Sequence, residues 1–429
     1  MLGVERRFVW RIHVREQMHI PEGGRIGIVG GGILGLAVGK ALQKVVPDCP
    51  ISLFEKEDNL AMHQTGRNSG VVHAGVYYQP GSLKARLCVE GVRLLLGFCD
   101  EKKIPYEVCG KLVVAVDEAE LPTLRSLHDR AVTNGVPGAR MVDPDEMRDI
   151  EPHVRGVAAL YSPQTAIVDF GDVARGLAEE LIQGGSSIRC GVEVVGIQRN
   201  GAGTVVKTTE GDERVDLLIN CAGLHADRLA QRTGGKSDPR IVPFRGEYYS
   251  IVPDRRSLVR GLIYPVPDPR YPFLGIHLTK RMNGEVLIGP NALLALAREG
   301  YNRRHVNPKD VLDLVSYGGF RKFARQHWRV GVAELRRSFS KRRFIDDAAR
   351  YVPDLKPEDV IRGPSGVRAQ ALDPDGSLVD DFRIEVKGAV VHVRNAPSPA
   401  ATSSLAIGRH VVQSLDIVPR TPGTHSHLE

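Results

Sequence analysis

RIGIVGGGILGLAVGKAL, at residues 25–42, and ISLFE, at residues 51–55, together form the stretch that decides the fold of this chain. The first stretch opens with a short apolar run rich in β-branched residues, which predicts a buried strand. A G-x-G-x-x-G turn and a run with helical spacing follow, and the second stretch is a strand that ends in an acidic residue. This order of elements within about thirty residues predicts a nucleotide-binding βαβ unit.

Each part of this unit has a physical role in holding a dinucleotide. Gly30 lets the backbone turn tightly off the strand, Gly32 lets it approach a pyrophosphate, and Gly35 lets the helix pack against the sheet. The helix N-terminus offers unpaired N–H groups and the positive end of a dipole to the phosphates. Glu55 can accept hydrogen bonds from ribose hydroxyls, and its charge would repel a 2′-phosphate. We therefore expect FAD or NAD here rather than NADP.

The composition narrows the class of protein. The 429 residues are 42% hydrophobic and 25% charged, which is ordinary for a soluble globular chain of two domains. No apolar run approaches the ~18–20 residues of a membrane-spanning helix. The formal charge of +7 favours an acidic substrate or a membrane surface, whereas the lack of an arginine-rich tail argues against nucleic acid. The six cysteines include no C-x-x-C pair, so we expect free thiols in a reducing compartment and no metal centre.

Both ends of the chain resemble extensions of the folded part. Residues 1–23 mix arginines with glutamates, which fits neither an acid-poor transit peptide nor a secretory signal. Residues 416–429 form a largely polar tail.

Three further stretches shape the prediction. Residues 62–81 are dense in glycine, polar and aromatic residues without helical or strand period, and a loop of this length in a compact domain is usually functional. Residues 217–223 read as a second buried strand that ends in glycine. Residues 243–289 read as short strands punctuated by proline and glycine, which predicts an antiparallel sheet.

The long glycine-rich loop carries HQTG at residues 63–66 and NSGVVHAGVYY at residues 68–78. These motifs closely resemble those of the L-2-hydroxyglutarate dehydrogenases and oxidases, which are FAD enzymes of the D-amino-acid oxidase/glycine oxidase-like superfamily. At one position, Arg67, the family motif has histidine. An arginine that faces the flavin or substrate would change the electrostatics there, and the alternative, which we favour, is a solvent-facing change of no consequence. The resemblance covers roughly residues 24–408, and its other motifs are PGSLKA (80–85), PFRGEYY (243–249), YPVPD (264–268), FLGIHLT (273–279), GPNA (289–292), GVRAQA (366–371) and NAPSPAATS (395–403).

The resemblance implies an α/β chain, α+β overall, with a Rossmann-like FAD-binding domain and a second, mostly antiparallel β substrate domain. It also implies FAD as cofactor and the oxidation of L-2-hydroxyglutarate to 2-oxoglutarate. The FAD-binding domain would be split among distant segments. The expected division is residues 24–105, 155–240 and 355–415 for the FAD-binding domain, residues 106–154 and 241–354 for the substrate domain, and residues 1–23 and 416–429 for the extensions.

Oxidation of a 2-hydroxy acid requires a base for the hydroxyl proton and an acceptor for the hydride, which is the flavin. Histidine suits a base that works near neutral pH. His73 lies in the glycine-rich loop, which should cover the flavin, and His277 lies in the middle of the strand predicted at residues 273–279. A lone histidine is more often a hydrogen-bonded structural residue. We nevertheless expect both to line the site. The sequence leaves open which of the two is the base, and we take His277 as the base and His73 as the residue that orients flavin or substrate.

A substrate with two carboxylates calls for two cationic side chains, and guanidinium binds carboxylate bidentately. Arg368 and Arg245 stand in apolar or glycine-rich surroundings, so we expect both to bind substrate. An ion pair between Arg245 and Glu247 is the alternative for the second. Tyr77, Tyr78 and Tyr249 could donate hydroxyl hydrogen bonds to the substrate, and for at least one of the three we expect packing instead.

The loop over residues 395–402 is predicted to enter a helix near Ala400. The N-terminus of that helix would stabilise the negative charge that reduction places on the flavin. A proline-rich cap is the alternative reading. The cofactor-binding residues expected from all motifs are Gly30, Gly32, Ile33, Leu34, Gly35, Glu55, Lys56, Thr65, Asn68, Ser69, Gly70, Val194, Ala222, Gly223, Asn395, Pro399 and Ala400.

Other functions fit part of the same pattern. A related flavoprotein acting on glycerol-3-phosphate or glycine is the alternative among enzymes, and a non-catalytic flavin- or NAD-binding redox module is the alternative from another class. The electron acceptor could be oxygen, a quinone or an electron-transfer flavoprotein. The basic helices predicted over residues 310–351 could contact an anionic membrane, although a solvated charged face explains them too. We expect a cytoplasmic protein, peripheral to the inner membrane in a bacterium, or a mitochondrial one in a eukaryote.

Overall fold

The computed structural model describes residues 20–21, 23–200, 203–268, 274–415 and 417. Most of the two predicted extensions, and Phe273 of the predicted strand at residues 273–279, lie outside the described residues.

The strands of the described residues, numbered in chain order, are β1 (Ile26–Val29), β2 (Ile51–Phe54), β3 (Val71–Val72), β4 (Tyr106–Val108), β5 (Lys111–Ala115), β6 (Arg140–Val142), β7 (Ala158–Ser162), β8 (Ala166–Val168), β9 (Ser187–Arg189), β10 (Val194–Asn200), β11 (Gly203–Thr208), β12 (Gly211–Val215), β13 (Leu217–Asn220), β14 (Arg240–Ile251), β15 (Leu262–Pro265), β16 (His277–Lys280), β17 (Val286–Gly289), β18 (Leu293–Leu294), β19 (Val360–Leu372), β20 (Arg383–Lys387) and β21 (Val390–Asn395).

The α-helices are α1 (Ile33–Val45), α2 (Leu83–Lys102), α3 (Leu121–Thr133), α4 (Pro144–Ile150), α5 (Phe170–Gln183), α6 (Ala226–Arg232), α7 (Pro308–Ser316), α8 (Gly318–Phe339), α9 (Lys341–Ala349) and α10 (Ser404–Ser414). None of the helices in the described residues combines the length and the apolar character that a membrane crossing requires.

The first sheet is the nucleotide-binding type of sheet that the opening stretch predicts. Its strand order is β20-β21-β13-β1-β2-β9, and every neighbouring pair is parallel except β20 with β21. The strand β1 is buried along its whole length, as its continuous apolar run requires. Helix α1 packs against α5 and α10. Gly408 permits the close approach of α10, because a Cβ there would lie 2.5 Å from the carbonyl oxygen of Ala37.

The second sheet has nine strands among the described residues, in the order β18-β14-β17-β16-β15-β5-β7-β6, with β19 also paired to β14. Its pairs are antiparallel except β15 with β5, so the prediction of a second, mostly antiparallel part is confirmed. Helices α8 and α9 follow on the chain between β18 and β19, and Phe344 and Ile345 of α9 fill the apolar core of this sheet.

Two strands join the second sheet although the predicted division assigns their residues to the FAD-binding part. The strand β7 pairs with β5 and β6, and the long strand β19 pairs with β14 over almost its full length. The domain boundaries stay a prediction.

Two local predictions differ from the structure. The last helix begins at Ser404 rather than near Ala400, because residues 398–403 form turns before it. His277 is the first residue of β16 rather than a residue in the middle of a strand.

Candidate active site

A cavity of about 2070 Å³ lies between the strand ends of the first sheet and one face of the second sheet. Segments far apart in the chain form its walls, including the glycine turn, the loop over residues 61–82, the ends of β13 and β21, and residues of β14, β16 and β19. The sequence-predicted site residues that line it are Gly30, Gly32, Ile33, Leu34, Glu55, Lys56, Thr65, Asn68, Ser69, His73, Tyr77, Val194, Ala222, Gly223, His277, Arg368, Asn395, Pro399 and Ala400.

The glycine turn forms the nucleotide end of this cavity. Gly30 has a φ of +109°, and a Cβ there would lie 2.5 Å from the carbonyl oxygen of Cys221 on the neighbouring strand. A Cβ on Gly35 would collide with the carbonyl oxygen of Gly30, so this glycine closes the turn rather than lining the cavity. A side chain at any of these positions would fill or distort the cradle that a pyrophosphate needs.

The first turn of α1 is suited to binding an anion. Gly32 caps the helix without a side-chain hydrogen bond, and the first turn carries no acidic residue. The N–H of Ile33 donates to Thr65 Oγ1 at 3.0 Å. The helix dipole and the small side chains therefore favour phosphate at this position, and the residues present fit FAD.

Glu55 supports the turn as well as facing the cavity. Its Oε2 accepts a hydrogen bond from the N–H of Gly31 at 2.6 Å, and its Oε1 accepts one from the N–H of Glu57 at 3.0 Å. Each carboxylate oxygen has a further lone pair, so these bonds leave acceptor capacity for ribose hydroxyls.

Polar contacts close the cavity wall near the C-terminal segment. Asn395 donates from Nδ2 to the carbonyl oxygens of Val379 and Asp381, both at 2.9 Å, so its amide is a structural support. The hydroxyl of Thr402 accepts from the backbone N–H of His73 at 3.1 Å. The loop over residues 396–402 lines the cavity although the helix itself begins two residues later, at Ser404.

His277 is held in a defined tautomer. Its Nδ1 lies 3.0 Å from the carbonyl oxygen of Gly275, and its ring stacks on Tyr264 with ring centroids 4.1 Å apart. A carbonyl oxygen only accepts hydrogen bonds, so Nδ1 carries the hydrogen and Nε2 keeps a lone pair. Burial lowers the pKa of His277 to about 3, with smaller contributions from the cations Arg368 and Lys111.

His73 has a less constrained ring. Its Nε2 lies 3.5 Å from Ser398 Oγ, and its Nδ1 is buried without a hydrogen-bond partner among the described residues. Burial and the nearby Lys111 lower the pKa of His73 to about 3. The buried hydroxyl of Tyr77 likewise lacks a partner within the described part of the chain. Both residues line the cavity, so these two polar groups remain available to a bound molecule.

Arg368 points into the cavity from β19. Burial lowers the pKa of its guanidinium below its ordinary value, and the neighbouring Tyr248 also lines the cavity. Arg368 NH1 donates to the carbonyl oxygen of Asn291 at 3.4 Å. The structure thus brings Arg368 and His277 to the same cavity.

The sequence predicts that Arg245 and Tyr249 bind substrate, but the structure places both side chains away from the cavity. Arg245 Nε donates to Glu247 Oε1 at 3.2 Å, and its NH1 donates to the carbonyl oxygen of Asn302 at 3.0 Å. The ring of Tyr249 packs edge-on against Phe344, with centroids 5.0 Å apart. Neither side chain lines the cavity, so both assignments are corrected. The physical reason is strand alternation, which turns Gly246 and Tyr248 to the cavity and their neighbours away from it.

Gly70 is the remaining predicted residue outside the cavity lining. Its φ is +77°, and a Cβ there would lie 2.8 Å from the carbonyl oxygen of Val168. It shapes the loop that carries Ser69 and His73.

Arg67, the departure from the family motif, is exposed at the cavity edge. Its Nε donates to the carbonyl oxygen of Met62 at 3.0 Å, and its guanidinium lies 4.3 Å from the ring centroid of Tyr301. Because Arg67 is exposed and also borders the cavity, its effect on flavin or substrate stays a prediction.

A cluster of ionisable groups lies near the nucleotide end. Among the described residues, Glu57, His63 and Glu299 are the side chains close enough together to share a metal ion. The ammonium of Lys56 forms ion pairs with both carboxylates and lowers the pKa of Glu57. A hydrogen bond from His225 and the same ammonium lower the pKa of Glu299 to about 2. The ammonium of Lys56 therefore offsets part of the negative charge of the two carboxylates.

Sequence reasoning missed three residues at the substrate end, namely Tyr248, Tyr264 and Lys111. Tyr248 lies two residues from Gly246 on the cavity side of β14, and no sequence pattern marks that side because both faces of the strand are largely buried. Lys111 opens a strand that is otherwise apolar and is 1% exposed. A lysine at the start of a buried strand was the available signal, but its partners could not be read from the sequence.

Comparison with known proteins agrees with this geometry. The family model described as FAD dependent oxidoreductase (DAO) matches residues 25–414, and the chain belongs to that family of flavoproteins. FAD is its cofactor. Among solved structures, L-α-glycerophosphate oxidase from Mycoplasma pneumoniae with FAD bound superposes with a TM-score of 0.75 at 23% identity, covering 93% of this chain and 97% of that one, which shows the shared fold.

Within the family, proteins similar to this chain include L-2-hydroxyglutarate dehydrogenases. The enzyme of Indibacter alkaliphilus is 48% identical over 387 residues, covering 90% of this chain and 97% of that protein. The mitochondrial enzyme of Nematostella vectensis is 47% identical over 428 residues, covering 95% of this chain and 93% of that protein. The resemblance inferred from the sequence motifs is thereby confirmed.

Proposed function

We propose that this protein oxidises L-2-hydroxyglutarate to 2-oxoglutarate, with FAD as the acceptor of the hydride that leaves the substrate C2. The relatives named L-2-hydroxyglutarate dehydrogenase support the choice of substrate. The observation that carries the proposal is a single cavity that joins a dinucleotide-type glycine turn to an end lined by Arg368 and His277.

His277 is the proposed base. With Nδ1 donating to Gly275, Nε2 keeps the lone pair that can take the proton of the substrate hydroxyl. The low pKa of His277, about 3, keeps the ring neutral before substrate binds. The negative charge of a bound dicarboxylate raises this pKa toward the working pH, because it stabilises the imidazolium form. His73, with a less constrained ring, is proposed to orient substrate or flavin.

Arg368 is proposed to bind one substrate carboxylate. A guanidinium can donate two parallel hydrogen bonds to a carboxylate, and this geometry fixes the orientation of the substrate carbon skeleton. Tyr77 and Tyr248 line the same end and can add hydroxyl donors. The proposed cofactor residues are the predicted ones that line the cavity, supported by Gly35 and Gly70 in the turn and loop.

Anaerobic bleaching of the flavin tests the proposal. Addition of L-2-hydroxyglutarate to the FAD-loaded protein without oxygen should remove the absorbance of oxidised flavin, whereas D-2-hydroxyglutarate, glycerol-3-phosphate and glycine should not. Bleaching by glycerol-3-phosphate or glycine alone would favour the alternative enzyme. A flavin that none of the four reduces would favour the non-catalytic redox module and contradict the proposal.

The proposed domain division keeps the FAD-binding part split among three segments. Support comes from the first sheet, whose strands belong to residues 26–54, 187–220 and 383–395. The pairing of β7 and β19 with the second sheet moves those two strands to the substrate part of this division.

A peripheral membrane contact is the proposed route to the electron acceptor. The side chains of Trp328, Val332, Leu335 and Phe339 are exposed by 58%, 38%, 50% and 76%. Their spacing of three and four residues aligns them along one face of α8. We call this set the α8 stripe. An exposed apolar stripe of this length on a helix is unusual for a surface that meets only water.

Basic residues flank the α8 stripe. Arg325, Arg329 and Arg336 are exposed, and each precedes a stripe residue by three positions. An apolar face bordered by arginines fits the interface of an anionic bilayer, where the apolar side chains enter the headgroup region and the cations meet lipid phosphates. The partner that this face fits is therefore an anionic lipid surface. Quinone becomes the favoured acceptor over oxygen or an electron-transfer flavoprotein, and a location at the inner membrane or in a mitochondrion remains a prediction.

Vesicle sedimentation tests the membrane contact. The FAD-loaded protein should pellet with phosphatidylglycerol vesicles at low salt and much less with phosphatidylcholine vesicles. Replacing both Trp328 and Phe339 by glutamate should abolish pelleting. Val132→Glu is the matched control, because Val132 is also exposed by 58% but lies on α3. Equal pelleting of the double variant and the control, or a dimer lost only in the double variant, would reject the lipid occupant.

A further inference from the structure

Lys111 is a buried cation that the proposed mechanism has not used. It is 1% exposed, and its ammonium has no hydrogen-bond or ion-pair partner among the residues that the structure describes. Two aromatic rings stand close to it, since Nζ lies 4.7 Å from the ring centroid of Tyr77 and 5.2 Å from that of Tyr264. Cation–π attraction offsets only part of the cost of burying an unpaired charge. The free-energy cost of burying this charge points to a functional role for Lys111.

The position of Lys111 relates it to the candidate base. Tyr264 stacks on His277 with ring centroids 4.1 Å apart, and Tyr77 lies in the same loop as His73. Both tyrosines and both histidines line the cavity, whereas Lys111 does not. The ammonium therefore lies behind the aromatic wall, too deep to touch the substrate but close enough to act on it electrostatically.

A dicarboxylate substrate creates an electrostatic problem for a histidine base. Two negative charges beside His277 favour its protonated form, and a protonated imidazole cannot accept the hydroxyl proton. Arg368 offsets part of that charge. Arg245, the second cation predicted from the sequence, is bound to Glu247 away from the cavity.

We propose that Lys111 is a positioning residue whose buried ammonium, held behind Tyr77 and Tyr264, supplies the second counter-charge to the dicarboxylate and keeps His277 unprotonated in the substrate complex. This inference rests on the proposed function. The interaction needs no direct contact, because the surrounding protein has a low dielectric constant and screens the charge weakly.

The surroundings agree with a charged Lys111 near neutral pH. Burial lowers the pKa of Lys111 to about 8, so the ammonium form still prevails at pH 7. Burial raises the pKa of the neighbouring Cys88 thiol to about 12, so that group stays neutral. Cys88 acts electrostatically on Lys111, and Arg368 and Lys111 act on His277. The groups that act on His73 are Lys111, His277 and Lys84.

The pH profile of kcat tests the inference, since it reports the ionisation of groups in the substrate complex. Lys111→Met should move the acidic limb of the kcat profile to higher pH by about one unit, the shift typical of losing a nearby charge. Lys111→Arg keeps the charge and should leave the limb in place. Lys280→Met is the matched control, because Lys280 is three residues from His277 but pairs with Glu107 at 2.6 Å. A folded, flavin-loaded Lys111→Met enzyme with an unshifted limb would overturn the inference.

A second readout does not depend on turnover. With 2-oxoglutarate bound, the ¹⁵N imidazole signals of His277 should be those of a neutral ring at pH 6.5 in the wild-type protein and of a protonated ring in Lys111→Met. If Lys111→Met does not fold, a protonated His277 in the wild-type complex at pH 6.5 would by itself overturn the inference. Absence of L-2-hydroxyglutarate oxidation by the wild-type enzyme would instead count against the proposed function, while the imidazole signals still report on Lys111.

Discussion

The paired strands β14 and β19 each carry a buried arginine, and the two arginines have different roles on opposite faces of the strand pair. Arg368 pairs in register with Phe244, and Arg245 pairs with Val367. Paired residues on neighbouring strands share a face, so the two arginines, one step apart, must lie on opposite faces. Arg368 reaches the cavity, whereas Arg245 is fixed by Glu247 and backbone carbonyls.

The type of a residue and its burial therefore do not by themselves define a substrate ligand. Arg245 is 7% exposed, yet it donates its hydrogen bonds to groups within the protein. A guanidinium that has its partners stabilises the fold. One that borders a cavity can bind a carboxylate.

The largest effect that would sharpen the comparison is expected at the base. His277→Gln should lower kcat by roughly a thousandfold, because general-base catalysis typically contributes ~10²–10⁴-fold. Steady-state turnover per bound flavin measures it. His392→Gln is the control, since His392 is also buried and has its pKa lowered to about 4 but lies in the first sheet, bonded to Asn220 and Thr233. A loss in His73→Gln with none in His277→Gln would exchange the two roles.

The next effect separates the two arginines directly. Arg368→Met should lower kcat/KM for L-2-hydroxyglutarate by roughly a hundredfold or more, the cost of removing one partner of a desolvated charge pair. Arg245→Met should leave kcat/KM nearly unchanged and lower the free energy of unfolding by about 1–3 kcal/mol through lost hydrogen bonds. Steady-state kinetics of both variants measure the change in kcat/KM, and thermal unfolding measures the change in stability. The comparison breaks if Arg245→Met proves the more damaging to kcat/KM.

The buried histidines should make the free energy of unfolding depend on pH in the acidic range. The pKa values of His73 and His277 are lowered to about 3 and that of His392 to about 4, so in mildly acidic solution the unfolded chain binds more protons than the folded one. The free energy of unfolding should therefore fall as the pH drops below ~6.5, by about 1 kcal/mol per histidine and pH unit. Denaturant titrations at several pH values measure this slope, and His277→Gln should make it shallower. An unchanged slope would contradict the burial of a neutral imidazole.

The smallest effect concerns the neighbouring tyrosines on opposite faces. Tyr248→Phe should lower kcat/KM by roughly fivefold, the value of one neutral hydrogen bond of about 1 kcal/mol. Tyr249→Phe should change kcat/KM little, since its ring packs on Phe344. Equal effects of the two variants would show that strand alternation does not define the substrate end.

The nucleotide end was predictable because its determinants are local. Gly30, Gly32 and Gly35 set the backbone of one turn, and the strand and helix on either side follow from short-range patterns. The substrate end was less predictable. Both faces of β14 are largely buried, so the polar–apolar alternation that normally marks the inner face is lost, and a register shift between Glu247 and Tyr249 adds to the ambiguity.

The dinucleotide site, the class of sheet that carries it and the family motifs could all be predicted from the amino-acid sequence, because each depends on residues close together in the chain. Three features required the folded structure: Arg368 rather than Arg245 faces the cavity, Tyr248 takes the place of Tyr249 there, and Lys111 lies behind the cavity wall near His277. These juxtapositions depend on strand pairing and on the packing of two sheets. No local pattern encodes which buried polar groups will find partners inside the protein and which will be left for a substrate.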